Sequence, residues 1–491
     1  MKKIVIPILA SLLFFGYTHH LQARNLQADL NYTIFNVPDK GPFIETYISV
    51  AGETVVYKKN DKGLFQGNIE VTFIFRQQNE IKEYDKYQLF SPEVQDTSAI
   101  NFSFIDQQRY FMPEGDYDME IIISDLNVAK KPFNAIQPIS IQFDDTKINF
   151  SGIQLVESFA PATQQSILTK GGFDLIPLVY NFYPESLNKL TYYTEIYNTE
   201  RILGSGEKFL VVCMIKSFET GNTLKDFVSY KKIDTRGIVP VLSEYDITKL
   251  PSGNYRMVIE ARNKQNELLA SNEIFFQRSN PNIQFSIEDL AAIDVNSTFA
   301  NQIKSNDTLQ EFINCLAPVA TELEKTFIYK QSKTTDLKTK QQFFYNFWAS
   351  RDVTDPEKAW RDYYSQVLVV DNAYKTQISK GYETDRGRVY LKYGPPNIIS
   401  ESYNEPSSYP YEIWHYYELG NNQRNKKFVF YSTDMLTNSF KLLHSDAIGE
   451  IQNYKWQIFL NSRWYDPFSV DINAPPNIYG GEADDYYRNP R

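Results

Sequence analysis

From about residue 30 to residue 280 the chain alternates apolar and polar positions. Ile69, Val71, Phe73 and Phe75 are separated by polar neighbours, as are Tyr117, Met119, Ile121 and Ile123, and later Tyr255, Met257, Ile259 and Ala261. A period of two is that of half-buried strands. The run Phe209 to Ile215 is apolar throughout and predicts a central strand. Asp61-Lys62-Gly63, Pro113-Glu114-Gly115 and Glu219-Thr220-Gly221 supply turns between such runs.

This half contains an internal repeat. Met112-Pro-Glu-Gly-Asp-Tyr-Asp-Met119 matches Leu250-Pro-Ser-Gly-Asn-Tyr-Arg-Met257, and Glu45-Thr-Tyr-Ile-Ser-Val50 is echoed more weakly by Leu190-Thr-Tyr-Tyr-Thr-Glu195. Two echoes in the same order predict two copies of one domain, each an immunoglobulin-like β-sandwich of about 125 residues. Neither copy contains Trp, so the Cys-Trp-Cys core of antibody domains is absent. The Pro-x-Gly-x-Tyr motif reads as a tight turn feeding a late strand, with Tyr as a packed corner residue.

The pattern changes after Pro281. Thr308 and Glu311 suggest a capping box ahead of Leu309, Phe312, Ile313 and Leu316, which fall at helical spacing. Trp360, Tyr364, Val367, Tyr374 and Ile378 form one stripe of a longer helix after Pro356, with Gly381 as its C-cap. Strand-like pieces follow: Val389, Leu391 and Tyr393, then Tyr411 to Tyr417, Phe428 to Tyr431, and Phe440, Leu442 and His444, with turns at Gly394-Pro395-Pro396 and Gly420-Asn421-Asn422. These predict an α+β domain of helices and a small antiparallel meander. The expected organisation is therefore a leader over 1–23, sandwiches over 24–148 and 149–284, the α+β domain over 285–465, and an extended acidic, aromatic tail over 466–491.

Lys2 and Lys3 precede an apolar run from Ile4 to Tyr17, and Leu21-Gln22-Ala23 places a small residue before Arg24. That order is a cleavable signal peptide, since about 14 apolar residues fall short of the roughly 20 that span a bilayer. Export to the periplasm, the outer-membrane surface or the medium is the expectation. No Cys follows the apolar run to carry a lipid, and no later segment is long and apolar enough to span. The formal charge of −10 becomes −12 when the two lysines leave, and no basic face is available for nucleic acid. Aromatics reach 15%, with 35 Tyr and 34 Phe, so several cores can be built. Cys213 and Cys315 sit among apolar neighbours and read as buried free thiols, with a long-range disulfide as the alternative. No Cys/His cluster suggests a metal, and no cofactor motif is present.

Gly381-Tyr382-Glu-Thr384-Asp385-Arg386-Gly387-Arg388, followed by Tyr393-Gly394-Pro395-Pro396, resembles the GWxTD domain of Bacteroidota envelope proteins. Phe347-Trp348 with Arg351-Asp352 looks like that family's FW-x-x-RD segment, Tyr411-Glu-Ile-Trp414 like its YEIW strand, and Leu443-His444-Ser445 with Gly449-Glu450 and Trp456 like its closing stretch. The resemblance spans about 286 to 465. The name-giving Trp is Tyr382 here, and Gln366-Val-Leu-Val-Val-Asp-Asn372 is more apolar than the family's usual sequence. The resemblance implies an envelope protein with no assigned reaction.

Chemistry in this domain has two readings. A Thr-Asp pair before Arg-Gly-Arg could bind an anionic or carbohydrate group through a planar guanidinium fork. The structural reading has Thr384 and Asp385 capping backbone N–H groups, Arg386 paired with Asp352 or Glu412, and Arg351-Asp352 as an ion pair locking helices onto the sheet. His415 and His444 lie in strand-like segments and read as packed core histidines. The expected function is a non-enzymatic binding or scaffold protein whose GWxTD-like domain and tail engage an envelope protein. The alternatives are a carbohydrate-active or peptidoglycan-directed enzyme using Asp385 with Glu412 or His415, and a glycan-binding protein with exposed Tyr and Trp. Oligomeric state is not readable.

Overall fold

A computed structural model describes residues 26–490 apart from 39, 129–131, 421–422, 435–436, 454 and 462–480. The leader and most of the tail lie outside the described residues. By contacts the chain falls into two compact units, one including Ile48–Asp106 and Asp118–Gln137, the other including Leu30–Tyr47, Gln107–Tyr117 and everything from Pro138 onward.

The first repeat supplies β1 (Ala28–Val37), β2 (Gly41–Ala51), β3 (Tyr57–Lys59), β4 (Phe65–Gln77), β5 (Glu80–Phe90), β6 (Ser103–Phe111), β7 (Gly115–Asp125) and β8 (Phe133–Ile141). The second supplies β9 (Asn149–Phe150), β10 (Gln154–Pro161), β11 (Thr169–Lys170), β12 (Phe173–Pro177), β13 (Phe182–Tyr183), β14 (Lys189–Tyr197), a short helix α1 (Thr199–Leu203), β15 (Lys208–Ser217), β16 (Thr223–Asp234), β17 (Ile238–Asp246), β18 (Gly253–Arg262) and β19 (Leu268–Arg278).

Strand order shows the repeat directly. One sheet of the first copy runs β1-β2-β6 and the other carries β4-β7-β8 with β5 on the outer side of β4. The second copy has β10-β14-β17 within one sheet and β16-β15-β18-β19 within the other, the same order element by element. The motif repeat survives at the level of single bonds. Tyr117 donates its hydroxyl to the Pro113 carbonyl at 3.0 Å, and Tyr255 donates to the Pro251 carbonyl at 3.0 Å. Each Tyr therefore pins the turn that launches its own strand, as the sequence predicts.

In the second copy both sheets fill one core. Leu155, Leu190, Tyr192, Ile196 and Val241 meet Phe209, Val211, Cys213, Ile215, Met257 and Ile259. The central position of β15 explains its unbroken apolar run: Val212 and Met214 are buried on its other face with Val258. In the first copy Ile69, Val71, Phe73 and Phe75 are all fully buried, which bears out the alternation.

The C-terminal part contains α2 (Asn306–Asn314), α3 (Glu322–Thr326), α4 (Leu337–Ala349), α5 (Pro356–Tyr374), α6 (Asp385–Tyr393), then β20 (Ile398–Ser402), β21 (Tyr411–Leu419), β22 (Gln423–Tyr431) and β23 (Lys441–Ser445), and two short helices, α7 (Trp456–Leu460) and α8 (Ala483–Arg488). The sheet is an antiparallel meander in chain order. It is covered on both faces: Trp414, Tyr416, Phe428 and Phe430 pack towards Val389 of α6, while Tyr411, Ile413 and Val429 pack against Trp456, Leu460 and Ala483.

Four local expectations are corrected. Val389, Leu391 and Tyr393 lie in helix α6, not in a strand. Gly381 is not a C-cap, because α5 stops at Tyr374 and leaves Ile378 exposed. The capping box is Thr321/Glu324 at α3, while Ser305 caps α2. In the tail, Ala483–Arg488 is helical rather than extended, because Ala483 and Tyr487 find an apolar surface to cover. Among the described residues no helix is long and apolar enough to cross a membrane.

Candidate functional site

The motif lies where α5, a single 3-10 turn at Gly381–Glu383 and the start of α6 cross. The crossing is backbone against backbone. A Cβ on Gly381 would sit 2.2 Å from the Val370 carbonyl oxygen, and one on Gly387 only 1.9 Å from the Gly381 carbonyl oxygen. Asp371 accepts the Gly381 N–H at 2.6 Å and holds the turn to α5. Tyr382 is buried in the helical core with Trp360, Val367 and Val370, filling the pocket expected of an aromatic at that position.

Thr384 is the N-cap of α6. Its hydroxyl accepts the Gly387 N–H at 3.1 Å and donates to the Gly381 carbonyl at 2.7 Å. Asp385 turns the other way and accepts the Leu442 N–H at 2.8 Å, tying the first turn of α6 to β23. The helix ends at Gly394, whose φ of +84° no other residue type holds without strain. The Gly394 carbonyl accepts the Tyr416 hydroxyl at 2.9 Å.

Arg386 and Arg388 each close a buried network. The Arg386 guanidinium bonds Glu412 at 2.5 Å and the Asn438 carbonyl at 2.9 Å, and lies 4.1 Å above the centre of the Phe440 ring. Glu412 also accepts the Trp414 indole N–H at 2.9 Å and the Tyr403 hydroxyl at 3.0 Å. Of the two partners expected for Arg386, Glu412 is the one found. Arg388 makes a bidentate contact with Glu450 at 3.1 and 2.8 Å, and Lys392 and the Tyr393 hydroxyl reach the same carboxylate at 2.8 Å. Burial alone would push the Glu450 carboxyl up, but the hydrogen bonds and charges of Arg388 and Lys392 outweigh it and hold it at about 2.

The neighbouring family-matching residues are also structural. Phe347 and Trp348 are buried in the helical core, with Trp348 packed against Trp360. Arg351 does not pair with Asp352: it forks onto Glu324 at 2.9 and 2.8 Å, bonds the Val319 carbonyl and lies over the Phe347 ring. Asp352 instead accepts the Thr354 and Asp355 N–H groups ahead of α5. Glu324 was hidden in the sequence because its partner lies 27 residues away.

His415 is buried and bonds Asn425 at 2.6 Å. His444 stacks on Trp456, accepts the Asn453 N–H on Nδ1 at 3.0 Å and meets the Tyr487 hydroxyl with Nε2 at 3.0 Å. With Nδ1 an acceptor, a neutral ring carries its proton on Nε2 and donates it to Tyr487. Burial pulls this imidazole down to about 4.

The carboxylates of Asp385 and Glu412 are thus engaged with the fold itself, and His415 is engaged through Nε2 alone, its Nδ1 being buried without a hydrogen-bond partner among the described residues. Trp348, Trp360, Trp414 and Trp456 are buried, so none is an exposed platform for a sugar. Cys213 and Cys315 are buried, separate free thiols, as expected. Among the described residues no group of three His, Cys, Asp or Glu side chains could hold a metal.

No curated protein matches the chain. Among solved structures, a DUF3823 family protein from Bacteroides ovatus is 11% identical, covering 45% of this chain and 95% of that one at a TM-score of 0.17. The fibronectin(III)-like modules of CbhA from Clostridium thermocellum are 11% identical, covering 49% and 89% at 0.14. Trypsin-activated alpha-2-macroglobulin from Escherichia coli is 11% identical, covering 52% and 16% at 0.16. The fold class rests on the strand order and cores of the chain itself. Residues 292–457 match the family model described as GWxTD domain, a span that takes in the Arg351, Arg386 and Arg388 networks, and the chain is a GWxTD domain-containing protein.

Proposed function

We propose that this is a non-enzymatic scaffold or binding protein of the cell envelope, in which the GWxTD domain and the C-terminal segment engage another protein. The observation that carries the reading is the fate of the motif: Thr384, Asp385, Arg386 and Arg388 each bond into the fold, on α6, β23, Glu412 with Asn438, and Glu450 respectively, although the Arg386 Nε is buried without a partner among the described residues. A motif that joins three elements builds a surface rather than a pocket. The unusually apolar stretch of α5 supports a protein partner, because only part of it is core. Val367 and Val370 are buried, but Leu368 and Val369 are about half exposed on the outer side of the helix. Adjacent exposed apolar residues on a rigid helix are suited to a partner's apolar face. The leader-like N-terminus supports an envelope location.

The test is capture from envelope extract with the full chain, comparing wild type with the double variant L368E/V369E and with a chain lacking residues 481–491. Loss of the same partner from either variant, with circular dichroism unchanged, supports the reading. Identical partners from all three chains would refute it.

A further inference from the structure

A second polar cluster, remote from the GWxTD motif, lies in the larger compact unit. Glu45 of β2 is fully buried, in a strand segment that is otherwise core. Lys170 of β11 and Gln154 of β10 are buried beside it. The Lys170 Nζ contacts a Glu45 carboxylate oxygen and lies 2.6 Å from the Gln154 side-chain oxygen. The other Glu45 oxygen is held by Arg109 at 2.5 Å, and the Tyr47 hydroxyl donates to Glu45 at 2.5 Å. The rings of Phe35 and Tyr47 stand 5.0 and 5.6 Å from Nζ.

Two features do not fit a simple buried ion pair. The Gln154 Nε2 is buried and has no hydrogen-bond partner among the described residues, so nothing holds the amide nitrogen in place. Burial also pulls the Lys170 ammonium down to about 8, against the opposing pull of Glu45, so a substantial share of the amine is neutral near pH 8. A neutral amine, an amide carbonyl at contact distance and a buried carboxylate touching the amine are the parts of an acyl-transfer site.

We propose that Lys170 and Gln154 join in an intramolecular isopeptide bond, with Glu45 carrying the protons. Glu45 takes a proton from the Lys170 ammonium, and the freed amine pair attacks the Gln154 Cδ. The new N–C bond forms as the carbonyl pair moves to oxygen. Glu45 then passes protons from Nζ to Nε2, the Cδ–Nε2 bond breaks, and the carbonyl re-forms. The two protons lost by Nζ leave with the departing nitrogen as ammonium, and Glu45 ends as the carboxylate it began as. No oxidant or second substrate is needed. Turning the amide over would exchange its oxygen and nitrogen but leave Cδ in the same place. The aromatic walls keep water from competing for the carbonyl. The product staples β10 to β11 and leaves Arg109 as the cation facing Glu45.

The full chain, denatured after purification, is measured by intact mass spectrometry and then digested. The expected result is a mass lower by one ammonia than the sequence requires, and a branched peptide joining the Gln154 and Lys170 segments. K170R and E45Q are expected at their full sequence masses with both peptides unlinked. If either variant fails to fold, the wild-type mass and digest still decide. A wild-type chain at full sequence mass, with both peptides recovered separately, would overturn the proposal. Loss of one water instead, with Lys170 joined to Glu45, would also overturn it, because the electrophile would then be the carboxyl group.

Discussion

At the scale of single residues, the GWxTD motif is two glycines that allow backbones to touch and charged groups that stitch what the glycines bring together. Gly387→Ala would drive a Cβ to 1.9 Å from the Gly381 carbonyl, a backbone atom that cannot swing away. Relieving that overlap means moving the Gly381–Glu383 turn, and Val370 of α5 with it, away from α6, and a loss of about 3 kcal/mol or more is expected in urea unfolding. Glu412→Gln tests the stitching. Arg386 is almost fully buried, and removing its counter-charge leaves a cation with only carbonyl and amide partners, so about 3 to 5 kcal/mol should be lost. Arg386→Met in the same background should recover part of that loss, because the uncompensated charge is gone. A Glu412→Gln chain as stable as wild type would mean that the pair contributes nothing net.

At the scale of elements, legibility in the sequence followed how many faces of each element are buried. Strand β7 keeps one face exposed or half-buried, and β4 and β18 carry mostly polar residues at the alternate positions, so their alternation was readable directly. Helix α6 was misread because it is buried on two sides: Val389 and Tyr393 face the sheet, while Leu391 faces the helical core. Apolar residues on both sides erase the helical period and leave a pattern with a spacing of two. The ion pairs Arg351 with Glu324 and Arg388 with Glu450 were invisible for a different reason, since a charge partner tens of residues away leaves no periodic trace. Helix α8 shows what elements add in turn. Tyr487 sits against Trp456, beneath the Lys427 ammonium and against His444, so the docking of the tail depends on a titratable ring. His444 is held at about 4 against an ordinary 6.5. The unfolded chain therefore binds a proton that the folded chain excludes between those values. The contribution is complete above pH 6.5 and falls as pH drops towards 4, by about 2 to 3 kcal/mol. Amide exchange in residues 481–490 should accelerate across that window, and His444→Gln should flatten the change.

At the scale of the whole molecule, the second sandwich and the GWxTD domain meet within one compact unit through the same Gly-Glu pair that the family resemblance singles out. Gly449 lies against Phe218 and Phe275, which pack edge to face at 5.0 Å, and Asn222 donates to the Ser350 carbonyl at 3.2 Å. Glu219 is half-buried at this junction and its carboxyl is pushed up by desolvation. One residue further on, Glu450 anchors Arg388, Lys392 and Tyr393, so a single turn links the sandwich contact to the charged networks of α6. Two consequences follow from that continuity. Phe218→Ala removes buried area at the junction and should cost about 3 kcal/mol, and the loss should appear in the unfolding of both domains if they melt together. Acid should act through the neighbouring residue. Glu450 is held at about 2, below its ordinary 4.5, so the unfolded carboxyl takes up a proton that the folded one refuses. Its contribution is complete above about pH 4.5 and is lost as pH falls towards 2, by roughly 3 kcal/mol. Glu450→Gln should be destabilised at neutral pH and lose less than wild type between pH 4.5 and 2. In differential scanning calorimetry the second sandwich and the GWxTD domain should shift together in both variants. Two separated transitions, with only the GWxTD transition moved by Glu450→Gln, would show that the Gly449-Glu450 turn does not couple them.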